Sequence, residues 1–124
     1  DEKNYDATTV LSKSAVDAAN MLHAKAIVTS TTSGYTARRV SAYRPKCPII
    51  ATTPIKGVAE SLSLNWGITA VHVSKANSTD EIIEIAKEEV SKLMKIDKDD
   101  KIVVTGGFPI KKSRSTNFIK IEEM

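Results

Sequence analysis

Sulfur, aromatic rings and flexible residues are all scarce in this 124-residue sequence, which has one cysteine, one tryptophan, five glycines and four prolines, with aromatics at only 5%. Cys47 has no second thiol in the chain for a disulfide and no companion for a thiolate metal site, so redox chemistry is not expected. Gly and Pro are too few and too scattered to make a low-complexity tract or an internal linker. No run approaches the roughly 18 consecutive apolar residues that suggest a membrane span. The opening Asp1-Glu2-Lys3-Asn4 lacks a signal-peptide pattern, so a cytoplasmic chain that contacts no membrane is expected. Net charge is small as well. Eighteen basic residues against 15 acidic ones leave +3, too little for a nucleic-acid groove but compatible with small phosphorylated ligands.

What is present is a regular alternation. A hydrophobic content of 41% over this length suits a single domain with a modest core. Val10, Leu11, Ala15, Ala18, Ala19 and Leu22 recur at spacings of three and four, which predicts a helix over 8–22. Ala26-Ile27-Val28-Thr29 then reads as a strand buried on both faces, followed by a hydroxyl-rich loop and a helix over 37–42. After Pro45 the unit repeats, with a strand over 47–52 and a helix over 55–64. A third strand covers 68–73, and a helix from Thr79, taken as its N-cap, runs to about Met94. A turn at Lys98-Asp99-Asp100 leads to a strand over 101–105, and a short alternating strand over 117–121 ends the pattern.

Buried strands alternating with amphipathic helices predict an α/β fold, a doubly wound parallel sheet covered on both faces in three layers. The last two strands lie too close in sequence for a crossover helix. The expected sheet therefore has five strands, four parallel and one antiparallel at an edge.

In such a sheet, ligands collect beyond the carboxyl ends of the strands. Two loops fall there. Ser30 to Thr36, which includes Tyr35, offers the hydroxyls of Ser30, Thr31, Thr32, Ser33 and Thr36, and the free first-turn amides and dipole of the following helix favour phosphate. Gly34 lets the backbone approach a ligand closely. A hydroxyl-capped helix with a glycine turn explains the same residues without any ligand. The loop matches neither the P-loop nor the dinucleotide glycine pattern. The second loop, 106–116, carries Lys111, Lys112, Ser113 and Arg114, in which arginine can grip phosphate with two hydrogen bonds and the lysines act as point charges. Its simpler reading is a solvated basic hairpin, but both loops follow strands of one sheet and would converge on one side.

Other chemistry-bearing residues point to structural roles. His23 and His72 lack metal-ligand spacing. Glu81, Glu84, Glu88 and Glu89 form a solvated helix face partly paired with Lys87 and Lys92. Lys46 could lower the pKa of Cys47, but no base accompanies the thiol. Trp66 is expected to pack at a helix end.

Taken in order, Ala24-Lys25-Ala26-Ile27-Val28-Thr29, Thr31-Thr32-Ser33-Gly34-Tyr35-Thr36-Ala37-Arg38, Tyr43-Arg44-Pro45-Lys46 and Pro48-Ile49-Ile50-Ala51-Thr52-Thr53-Pro54 resemble the C-terminal domain of bacterial pyruvate kinases. Trp66-Gly67-Ile68, Thr79-Asp80-Glu81 and Ser115-Thr116-Asn117 extend the likeness over about 7–121. The resemblance implies a regulatory domain over 7–124, preceded by a linker remnant over 1–6. Catalysis, with its Mg and K ions, would lie in a separate (β/α)8 barrel too large for this chain, leaving no cofactor and no catalytic residue here. It also implies partners: the barrel domain, sister subunits of a homo-oligomer, and a phosphorylated effector such as fructose 1,6-bisphosphate, AMP or ribose 5-phosphate.

In this resemblance Thr31, Ser33, Gly34 and Thr36 match the effector-phosphate loop. Lys111 and Arg114 stand where the family commonly has glycines, Ile82 near the place of a phosphate-contacting arginine of animal-type enzymes, and Thr32 where many bacterial relatives have glutamate. Two other readings stay open: a free-standing phosphate-ester-binding module or small enzyme of the same fold, and a purely structural oligomerisation domain.

Overall fold

A computed structural model describes residues 6–107 and 116–124. The elements follow the hydrophobic pattern: α1 (Ala7–Leu22), β1 (Ala26–Ser30), α2 (Tyr35–Ala42), β2 (Ile49–Thr53), α3 (Lys56–Leu62), β3 (Ile68–His72), α4 (Thr79–Leu93), β4 (Lys101–Gly106) and β5 (Phe118–Glu123). The strands form one sheet in the order β3-β2-β1-β4-β5, with every neighbouring pair parallel except β4 and β5. The expected four parallel strands and antiparallel edge are present.

The apolar runs end up in the middle because β1, β2 and β4 are covered on both faces, which removes any reason for a polar alternation. Ile27 aligns with Ile49 on one side and Val103 on the other. These three side chains join Ala15, Val16, Ala19, Ala37, Val40 and Leu62 under α1, α2 and α3. The opposite face carries Val28, Ile50, Ile102 and Val104 against Ile82, Ile83, Ala86 and Val90 of α4. Helices α2 and α3 follow right-handed crossovers in one direction. The α4 crossover carries the chain back past β1, so α4 covers the other face.

Local chemistry sets the helix boundaries. Asp6 caps α1 by accepting from the Thr9 amide at 2.7 Å, and His23 closes it in the left-handed region. The cap of α4 is Ser78 rather than the expected Thr79. Its hydroxyl accepts from the Glu81 amide at 3.1 Å while a Glu81 carboxylate oxygen accepts from the Asn77 amide at 2.8 Å, a reciprocal arrangement close to a capping box. Glu81 is thus a capping residue, and Glu89 is buried and paired with Lys92 at 3.2 Å, so the acidic face of α4 is less uniformly solvated than expected. Lys87 reaches across to Glu122 of β5 at 3.3 Å rather than to its own helix.

Trp66 also departs from expectation. It lies in the turn after α3, is 48% exposed, and has the Arg44 guanidinium stacked 4.5 Å above its ring. Its carbonyl accepts from the Ser41 hydroxyl at 2.6 Å, which ties the end of α2 to this turn.

Candidate anion site at the switch point

From β1 the chain passes through α2 to β2 on one side, whereas β4 pairs onward with β5 on the other, so the carboxyl ends of these adjacent strands mark the point where the strand order reverses, the place where open α/β sheets bind ligands. The strands come unusually close at that point. A Cβ on Gly106 would lie 2.7 Å from the Ser30 carbonyl oxygen and 2.9 Å from the Ser30 Cβ, so only glycine fits beside Ser30.

The loop after β1 is held by its own hydroxyls. The Thr31 amide extends the ladder by donating to the Thr52 carbonyl at 3.0 Å. The Thr31 hydroxyl then turns back to accept from the Gly34 amide at 2.9 Å, and the Ser33 hydroxyl accepts from the Tyr35 amide at 3.2 Å. Gly34 takes φ +88° to complete the turn into α2. Arg38, one turn into α2, donates to the Ser33 carbonyl and to the Ser61 hydroxyl, each at 3.2 Å, bracing the loop against α3. The Tyr35 hydroxyl donates to Asp6 at 3.1 Å and so joins the loop to the cap of α1.

Beyond these caps, the first-turn amides of Thr36 and Ala37 make no hydrogen bond among the described residues, which leaves two donors at the positive end of α2. Thr32 is half-buried and its hydroxyl likewise has no partner among the described residues. Thr36 is buried, with its hydroxyl 2.6 Å from that of Thr116, just before β5. The next residue, Asn117, donates its amide to the Gly106 carbonyl at 2.8 Å.

Thr31, Thr32, Ser33, Gly34, Tyr35 and Thr36 therefore form one turn at the switch point, as expected, although Thr31 and Thr36 face inward. Lys111, Lys112, Ser113 and Arg114 lie outside the described residues. Sequence reasoning missed Arg38 and Thr116. Thr116 stood out only as part of the closing Ser-Thr-Asn likeness, because a bond between residues 80 positions apart has no local signature. Ile82, near the place of an arginine in the animal-type enzymes, is a core residue of the α4 face.

Other candidates carry less chemistry. Burial pushes the Cys47 thiol above its usual pKa, opposite to the lowering expected from Lys46, so the group stays protonated and unreactive at neutral pH. His72 sits at the exposed end of β3 with Nε2 3.2 Å from the Pro54 carbonyl. Among the described residues, no three His, Cys, Asp or Glu side chains are grouped to hold a metal ion, and no helix is long and apolar enough to cross a membrane.

The fold and this turn define a doubly wound α/β domain with a hydroxyl-lined switch point. Residues 9–122 match the family model described as pyruvate kinase, alpha/beta domain. Pyruvate kinase of Clostridium perfringens is 43% identical over 114 residues, covering 92% of this chain and 24% of the relative. That of Clostridium acetobutylicum is 41% identical over 113 residues, covering 91% and 24%. A crystal structure of Cryptosporidium parvum pyruvate kinase superposes with a TM-score of 0.83 at 27% identity, over 98% of this chain and 23% of that one. The chain belongs to the pyruvate kinase alpha/beta domain family. It spans about a quarter of the length of the relatives it matches.

Proposed function

We propose that this chain is the regulatory and assembly domain of a pyruvate kinase and binds a phosphorylated small-molecule effector at the Ser30 to Thr36 turn. The observation that carries the reading is the pair of amides, Thr36 and Ala37, that have no hydrogen-bond partner among the described residues, at the start of α2 beside the carboxyl ends of β1 and β4. A phosphate there meets the helix dipole and backbone donors without displacing the caps made by Thr31 and Ser33. Phosphoryl transfer from phosphoenolpyruvate to ADP, with its Mg and K ions, is assigned to the barrel of the parent enzyme. An effector changes that activity through its different affinity for two quaternary states, which requires contacts from this domain to the barrel and to sister subunits.

A second reading, assembly without any ligand, is favoured by one observation: the buried Thr31 and Thr36 hydroxyls are already partnered within the protein. Thermal unfolding of the 124-residue chain with fructose 1,6-bisphosphate, ribose 5-phosphate and AMP at low salt separates the two. A ligand present at about a hundred times its dissociation constant stabilises the native state by about 2.7 kcal/mol. No shift with any phosphate ester leaves assembly as the function. Pyruvate kinase turnover by the chain alone overturns its non-catalytic assignment.

A further inference from the structure

We propose that Thr116 is a positioning residue of the phosphate site, acting through Thr36. This rests on the reading of the Ser30 to Thr36 turn as that site. The two hydroxyls lie 2.6 Å apart, and each residue is only 3% exposed. Each hydroxyl has one proton and two lone pairs, so a single contact between them uses one proton and releases the other. If Thr36 donates, its proton is consumed in the pair and none is left for a ligand. If Thr116 donates, the Thr36 proton is free to point at an anion on the α2 terminus, and accepting one hydrogen bond makes Thr36 a better donor of the next. Either direction fits the distance. An unprotonated phosphate oxygen facing Thr36 selects the second, because it can only accept.

The backbone around Thr116 suits it to this role. The Asn117 amide is bonded to the Gly106 carbonyl, and Gly106 is pressed against Ser30, so the Thr116 hydroxyl is held from the β4 side. Thr36 is held from the α2 side. The relay Thr116 to Thr36 to phosphate therefore joins the segment after β4 to the start of α2, and binding draws on residues 80 positions apart in the sequence.

The test measures calorimetric affinity of the 124-residue chain for inorganic phosphate and fructose 1,6-bisphosphate, with melting temperature measured in parallel. Thr116→Val keeps the volume and removes the donor, and affinity is expected to fall about three- to tenfold, the range of one net hydrogen bond. Thr116→Ser keeps the hydroxyl, and affinity is expected to stay within about twofold of the parent. Thr36→Val should weaken binding at least as much as Thr116→Val, and adding Thr116→Val to it should cost nothing further, since the relay is already cut. Unchanged affinity in Thr116→Val overturns the relay. So does a loss in Thr116→Ser as large as in Thr116→Val, which would assign the effect to packing; where the valine variant does not fold, a loss of about threefold or more in Thr116→Ser overturns the relay in the same way. A parent chain that binds neither probe overturns the phosphate-site reading itself, and the relay with it.

Discussion

The turns that follow β1 and β2 are built from the same unit, a buried strand leading into a short helix, yet they differ in what they can hold. Each uses a hydroxyl to accept the amide two residues on: Ser33 from Tyr35 and Thr53 from Ile55, both at 3.2 Å. The first adds a glycine in the left-handed region and an eight-residue helix. The second inserts Pro54 and an exposed Ile55 before a seven-residue helix, and neither helix has a side-chain cap at its N-cap residue. Position widens the gap. The connections on either side of β2 progress in one direction along the sheet, whereas β1 leads to β2 on one side and β4 pairs with β5 on the other, so the strand order reverses beside the first turn. On the reading proposed above, hydroxyls alone do not suffice for an anion; what sets the first turn apart is its left-handed glycine and its place where the strand order reverses.

The largest effect that would break this contrast is at the glycines. Gly106→Ala places a Cβ against the Ser30 backbone and should destabilise the chain by about 1–3 kcal/mol, as overpacking does. Gly57→Ala, in the first turn of α3 with nothing within 4 Å of the added Cβ, should stabilise it by up to about 1 kcal/mol. Urea unfolding reads both, and equal effects would mean that the β1–β4 approach is not tight. The next effect is on binding. Ser33→Ala combined with Thr36→Ala should weaken phosphate-ester affinity at least about tenfold, since hydrogen bonds to charged groups are the stronger ones, while Thr53→Ala in the second turn leaves it unchanged. Titration calorimetry distinguishes the pair, and a loss from Thr53→Ala would move the site.

The smallest effect concerns the link from Tyr35 to the cap of α1. The hydrogen bonds from Thr9, with help from Tyr35, hold the Asp6 carboxyl below its usual pKa. A lowered folded-state pKa means the stabilising contribution is complete above the ordinary carboxylate value and is lost as pH falls through the lowered one. The parent chain should therefore lose slightly more melting temperature on acidification through that window than Asp6→Asn. Parallel acid melting curves would refute the link.

Much of this was legible in the order of residues. The double-faced burial of Ile27-Val28, Ile49-Ile50 and Ile102-Val103-Val104 and the missing helix before the last strand gave the mixed sheet, because periodicity and loop length are local properties. The turn at Thr31 to Thr36 could be named for the same reason. The directions of its hydroxyls could not. Whether Thr36 faces solvent or Thr116 depends on how β4 and β5 return to β1, a contact that no window of sequence contains. Ser78 displaced Thr79 as the cap of α4 because adjacent hydroxyl residues compete for one position, and the Glu81 contacts decided between them.

The bond from Ser41 to the Trp66 carbonyl gives the molecule a built-in gauge. Trp66 is the only tryptophan of the chain, and it lies beyond the far end of α2 from the turn, half exposed under the Arg44 guanidinium. Its emission should stay unchanged by a ligand that merely settles on the first turn of α2. A displacement of that helix that drags Ser41 with it should shift the emission, so fluorescence offers a way to tell occupancy of the turn from a movement transmitted across the domain.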